Sequence, residues 1–445
     1  MGEINSMVVL LVAAVVLGGL LARHVACHAA WRRTADKLGL TFHENSFWGD
    51  WEIFGEVRGC RVRLTTVKPT TGRRQRSTRL AVSGQRKIST QLELGPETLL
   101  SRASRMLGSG DLVLGDPEFD VRVRVRGRPE IALGVLDART RTTLKRFVTT
   151  WRGEVLGGEV GCDTPHVVRK ARQIEGQILD AVRVAESVQV PQAGYLEAIQ
   201  HSLERDHVPA VRLQCLEILV QHGAERAARA RQVARADADP HVRLAGAGAP
   251  GAEDAATLVA LVLDLASPPE VRETALVRLA EAAPTAAAEV VLALLDRTPD
   301  GLTPQALSLA AHLGLRAAFP RIAALLTHPD GDIGAAAAAC LGGLAEPAAE
   351  PILLDVLTTT PIATRTAAVE ALGTVGTLAA VAPLLQALEK GAVPRKVARE
   401  AIQRIQGRHA RAGAGALALA ETDVGGLSLA RSRGGLALAT EAIEE

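Results

Sequence analysis

SPPEVRETALVRLAEA, running from Ser267 to Ala282, decides how the C-terminal half of this chain folds. A proline pair marks a turn, Glu270 opens the helical run behind it, and Val271, Ala275 and Leu279 recur at helical spacing. Aligned on Val271, equivalent positions are Val211, Val242, Leu302, Ile333, Thr364 and Val397, at successive intervals of 31, 29, 31, 31, 31 and 33 residues. Unrelated helices do not keep such a period.

Between these anchors lie partner segments of helical period: TLVALVLDLA, AEVVLALLD, FPRIAALL, PILLDVL and VAPLLQAL. Each unit therefore reads as two short helices whose turn carries Pro, Asp, Gly or Thr, residues that end one helix and cap the next. One such pair cannot bury its apolar face, but stacked pairs share a continuous core, so the period predicts a solenoid. The glycines and proline of GAGAPGAED predict a shortened second helix in one unit and a kink near Gly246 to Gly251.

The pattern resembles HEAT repeats, in particular the short phycobilisome-lyase type, an armadillo-like α-solenoid. VAPLLQALEKG (Val381 to Gly391), PEVRETALVRL and DPHVRLAGA carry the resemblance over residues 195–407. It implies a protein partner on the solenoid surface. It also implies that Arg212, Arg243 and Arg272, each directly after an anchor valine, pair with turn acids of a neighbouring repeat, Asp206, Asp239 and Glu270 being available. Leu302 and Ile333 are not followed by Arg. Enzymes in the wider HEAT-like group use His-Glu pairs or concave-face aromatics. These repeats contain no His-Glu dipeptide and no Trp, with Tyr195 and Phe319 their only aromatics. An enzymatic or accessory, lyase-like role stays an alternative by analogy alone.

Upstream, WEIFGEVRGCRVRLTTV reads as two strands around Arg58 and Gly59. KISTQLEL predicts a strand, ETLLSRASRML a short helix and FDVRVRVRGR a strand with Val121, Val123 and Val125 on one face and arginines on the other. Helices over PEIALGVLD, ARTRTTLKRFV and VVRKARQIEGQILDAVRVAESV, with an extended piece near GEVLGGEVG, complete an α+β domain at 31–188. GDPEFD, followed by the V-x-V strand and VLDARTRTTL, resembles a module of membrane-tethered bacterial proteins of unassigned activity.

From Arg58 to Ile88 there are ten Lys or Arg and no Asp or Glu, although the whole chain carries a net charge of only +2. Arg58, Arg61, Arg63, Arg73, Arg74, Arg76 and Arg79 are the candidate contacts for anionic lipid headgroups, each such cation gaining about 1 kcal/mol near an anionic leaflet. Nucleic acid is the weaker counterion, because this stretch has no aromatic on which a base would stack. A solvated sheet face remains the third reading.

Residues 4–22 hold nineteen positions without a charge, about the length that crosses a bilayer. With Glu3 before them and Arg23, Arg32, Arg33 and Lys37 after, the positive-inside bias predicts a single-pass anchor with the C-terminal portion cytoplasmic. A cleaved signal lacks its basic leader. At the other end, AGALALA, GGLSLA and GGLALA predict a flexible tail at 408–445, or short strands that dock on a partner.

Cys27, Cys60, Cys162, Cys215 and Cys340 are scattered and never form C-x-x-C, which predicts buried thiols rather than disulfides or zinc. The His43-Glu44 dipeptide has no companion ligands. No P-loop, G-x-S-x-G elbow or dinucleotide-binding glycine pattern is present. The sequence therefore predicts a membrane anchor, a small α+β domain and a HEAT-like solenoid, with no cofactor, no metal and no catalytic residue.

Overall fold

The computed structural model describes residues 2–46, 50–68, 76–97, 111–248 and 251–420. The chain forms two units, Met1–Gly246 and Ala247–Glu445. Their boundary falls in the stretch predicted to interrupt the repeats. It does not fall between 188 and 195, where the sequence reading divides the α+β domain from the solenoid.

The first unit opens with α1 (Gly2–Leu38), a single helix of two characters. Leu11, Val15, Val16, Leu17, Leu20 and Leu21 are exposed, whereas Trp31 and Ala35 are fully buried, with the Trp31 indole N–H donating to the Val168 carbonyl at 2.8 Å. Strands β1 (Thr41–Ser46), β2 (Asp50–Val57), β3 (Cys60–Val67) and β4 (Ser77–Ser83) come next as a meander. The predicted hairpin turns at Arg58 and Gly59, both in the left-handed region (φ 52° and 74°), the geometry that matches the twist of a tight hairpin.

Beyond the meander lie short strands β5 (Glu93–Pro96) and β6 (Asp111–Leu112), helix α2 (Pro117–Asp120), strand β7 (Val123–Arg126), helices α3 (Pro129–Val135) and α4 (Ala138–Trp151), and the hairpin of β8 (Glu154–Leu156) and β9 (Glu159–Thr164). Helix α5 (Ala171–Ser187) completes this part. The nine described strands form one antiparallel sheet in the order β1-β2-β3-β4-β9-β8-β5-β7-β6. Trp51, Ile53, Val62, Leu64, Leu80, Val82, Val160 and Val155 alternate onto its buried face, covered by α5 and the second half of α1.

Two strand predictions need correction. In KISTQLEL only Glu93 onward joins the ladder, while Ile88 makes an isolated bridge to Gln189. In FDVRVRVRGR, Val123 and Val125 are buried but Val121 is 54% exposed, because Asp116 caps α2 and delays the strand. The predicted helix ETLLSRASRML lies largely outside the described residues.

Four more helices, α6 (Tyr195–Arg205), α7 (Pro209–Gln221), α8 (Ala224–Arg235) and α9 (Pro240–Gly246), belong to the first unit and share its hydrophobic core. Helix α9 has seven residues, the shortening that its glycines predict.

The second unit stacks five helix pairs among its described residues: α10 (Ala252–Leu263) with α11 (Pro269–Ala282), α12 (Pro284–Leu295) with α13 (Thr303–His312), α14 (Phe319–Leu325) with α15 (Gly331–Leu344), α16 (Ala349–Asp355) with α17 (Ile362–Val375), and α18 (Val381–Glu389) with α19 (Arg395–Ala420). Val271, Leu302, Ile333 and Thr364 are buried, as are Leu279, Ala310, Leu341, Leu372 and Ile405 eight residues after successive anchors; Val397 is half-buried. Small residues set the spacing. A Cβ on Gly342 would lie 2.8 Å from that of Ala371, so α15 and α17 approach at a distance only glycine permits. Helix α19 runs on through Gly407, past the start of the predicted tail, and residues 421–445 lie outside the described residues.

Candidate functional site

The basic run Arg58 to Ile88 does not fold into an uninterrupted cationic face. Its arginines meet acids from strands and helices distant in sequence. Arg63 donates to Glu52 at 2.6 Å, Arg76 to Asp50 at 2.5 Å, and Arg79 holds Asp163 through paired contacts at 2.9 Å. Arg58 stands 3.8 Å from Glu186, and Arg61 lies opposite Glu56 in the β2–β3 register. Arg73 and Arg74 lie outside the described residues. The described part of this surface is a mosaic of charge pairs, those at high exposure contributing about 0–1 kcal/mol each.

Two of the three repeat arginines, Arg212 and Arg272, form rungs to acids further along the chain, Asp237 and Asp300. Arg212 grips Asp237 in two-pronged fashion, both contacts at 2.7 Å, and donates to the Asp206 carbonyl. Arg243 donates to the Asp237 and Ala238 carbonyls of its own turn. Arg272, in the second unit, reaches Asp300 at 2.9 Å and the Val262 carbonyl at 3.0 Å. Asp239 is engaged as a cap, its Oδ1 accepting from the His241 and Val242 amides. Glu270 sits in the first turn of α11.

Asp206 is engaged by a residue that the sequence reading missed. Arg141 of α4, its side chain 2% exposed, donates to both Asp206 oxygens at 2.7 and 2.9 Å and to Asp116 at 2.8 Å. It also reaches the Leu136 carbonyl. The side chain of Asp206 is 1% exposed, so this charge cluster is removed from water and held by charge-assisted bonds. Burial alone would raise the Asp116 carboxyl, but hydrogen bonds from Arg141 and the Phe119 amide outweigh it and hold the carboxyl below its ordinary value.

This cluster accounts for GDPEFD and DARTRTTL together. Asp116 caps α2 and receives Arg141, Asp120 accepts from the Leu114 and Gly115 amides, and Asp137 caps α4. Asp206 and Asp237 stand one period apart, and each is gripped in two-pronged fashion by an arginine of a preceding element. Arg141 thus serves as the first rung of the ladder, supplied by the sheet domain. The cue was Asp206 itself, which precedes Val211 as Asp237 precedes Val242.

All five cysteines are buried and free. Burial pushes the Cys162, Cys215 and Cys340 thiols up to about 12, so they stay protonated near neutrality and are poor nucleophiles. His43 and Glu44 are neighbours on β1 and so point to opposite faces, with Glu44 3.0 Å from His28. Among the described residues no three His, Cys, Asp or Glu side chains gather as metal ligands.

Against known families, residues 319–403 match the HEAT-repeat model, which spans α14 to α18 and the start of α19. No curated protein matches the chain. HEAT repeats generally mediate protein–protein interaction.

Proposed function

We propose that the chain is a membrane-anchored scaffold: α1 holds it to the bilayer through residues 4–22, and its HEAT-like stack presents a surface to a protein partner on the cytoplasmic side. The observation that carries this reading is the stack itself, whose period fills one core while leaving Leu265, Val277, Ile362, Leu378 and Leu385 outside. Single exposed apolar residues are ordinary on any surface, but repeated along a solenoid they suit an extended contact. The anchor draws support from α1, which is long and apolar enough to span a membrane and whose side chains Leu11, Val15, Val16, Leu17, Leu20 and Leu21 are exposed. Residues 31–188 form the juxtamembrane domain in this reading, 195–407 the interaction solenoid, and 408–445 an extension whose last residues serve as a tail. The phycobilisome-lyase-type form of the repeat and a bacterial membrane-tethered origin go with it.

A photoreactive residue at Leu385 of the membrane-embedded full chain is expected to crosslink one protein, with the yield suppressed by Leu378→Asp. Yields no higher than from a probe at exposed Lys390 would sink the partner reading. Alkaline carbonate is expected to leave the chain in the membrane pellet; full release removes the anchor.

A further inference from the structure

Where α1 enters the sheet domain, Leu20, Arg23, His24 and Cys27 share one helix face at spacings of three and four residues. With Trp51 of β2, Arg76 just before β4, and Val167 and Arg169 from the connection between β9 and α5, they line a cavity of about 210 Å³. The volume holds several waters, and hence a tetrahedral oxyanion.

Three guanidinium groups and no carboxylate line this cavity. Arg76 commits Nη1 to Asp50, which leaves its other nitrogens available. Neither Arg23 nor Arg169 makes an ion pair with any described residue. Trp51, 3% exposed, contributes to the wall of the cavity. Three cations with no carboxylate among them ask for an anion rich in acceptor oxygens.

We infer that this cavity is a phosphate-binding clasp that takes the phosphate of an anionic lipid headgroup at the foot of α1. Arginine suits it because its planar fork pairs with phosphate oxygens in two-pronged fashion. Position argues for the lipid as the source. Leu20 at the rim continues the exposed apolar side chains Leu11, Val15, Val16 and Leu17, so a headgroup held here has its acyl chains alongside them. Tryptophan at such a level is the usual companion of the membrane interface. This placement rests on the anchor reading of α1, whereas capture of phosphate in the cavity does not.

Isothermal titration of the full chain in neutral detergent tests both. A short-chain phosphatidylglycerol is expected to bind saturably, and Arg23→Gln with Arg169→Gln to weaken it about thirty-fold, each arginine accounting for roughly fivefold. Circular dichroism is expected to stay unchanged in this variant. Absence of saturable binding, or binding indifferent to these substitutions, overturns the clasp. Inorganic phosphate at matched ionic strength binding as tightly as the lipid overturns the lipid source. Release by carbonate would retire the anchor while leaving the inorganic phosphate titration intact, so the two failures are separable.

Discussion

The two units of this chain are specified in opposite ways. The first relies on singular contacts between distant residues: Trp31 on Val168, and Arg141 between Asp116 and Asp206. The second repeats one small-residue contact, with Gly334 against Thr364, Gly342 against Ala371 and Gly373 against Ala401. All four tryptophans precede Gly246. Tryptophan fluorescence therefore tracks the first unit alone, while far-ultraviolet circular dichroism tracks both. The contrast teaches that an irregular domain is vulnerable at particular residues and a repeat array at particular spacings.

The largest expected effect is at the singular contact. Arg141→Ala leaves Asp116 and Asp206 buried without their counter-charge and is expected to destabilise the first unit by about 3–5 kcal/mol. Chemical denaturation monitored by tryptophan fluorescence reads this directly. A loss no greater than that from Arg79→Ala, an exposed pair expected to cost at most about 1 kcal/mol, would remove Arg141 as the link between sheet and repeats.

Spacing is tested by glycine pairs. Gly342→Ala pushes a Cβ into Ala371 and is expected to cost about 1–3 kcal/mol, seen in circular dichroism but not in tryptophan fluorescence. Gly407→Ala, in α19 with nothing within 4 Å of the added methyl, is expected to stabilise by about 0.5–1 kcal/mol through helix propensity alone. Equal effects at the two positions would erase the claim that close approach sets the repeat.

Acid sharpens the comparison further. The folded Asp116 carboxyl titrates below its unfolded counterpart, so the unfolded chain takes up the proton first as pH falls. The stabilisation is complete above the ordinary carboxylate range, near pH 4, and is lost as pH falls through the lowered value. Tryptophan-monitored stability is expected to drop there, and Asp116→Asn to flatten that part of the profile. The smallest effect concerns chemistry: Cys162, Cys215 and Cys340 are expected to label with a thiol reagent only after denaturant is added.

Legibility in the sequence depended on physical range. The repeats announce themselves because Val271 and its equivalents return each period, and a helix pair can satisfy its pattern only by stacking. The β2–β3 hairpin was legible because alternation and turn lie within a few residues of each other. The mosaic on the sheet was not, since Glu52, Asp163 and Glu186 lie outside the basic run that they balance. Nor was the Arg141 cluster, whose partners lie 25 and 65 residues away. Local charge counting stops where a sheet begins to bring strangers together. Asp206 belongs to the repeats by period and to the sheet domain by its bond to Arg141.

Helix α1 gives no turn between the exposed side chains of Leu11 to Leu21 and the seat of Trp31. A flexible linker would let the sheet domain wander beneath its attachment like a buoy on a rope. An unbroken helix makes the attachment a shaft instead, and any tilt or rotation of its free end is delivered to the sheet as torque.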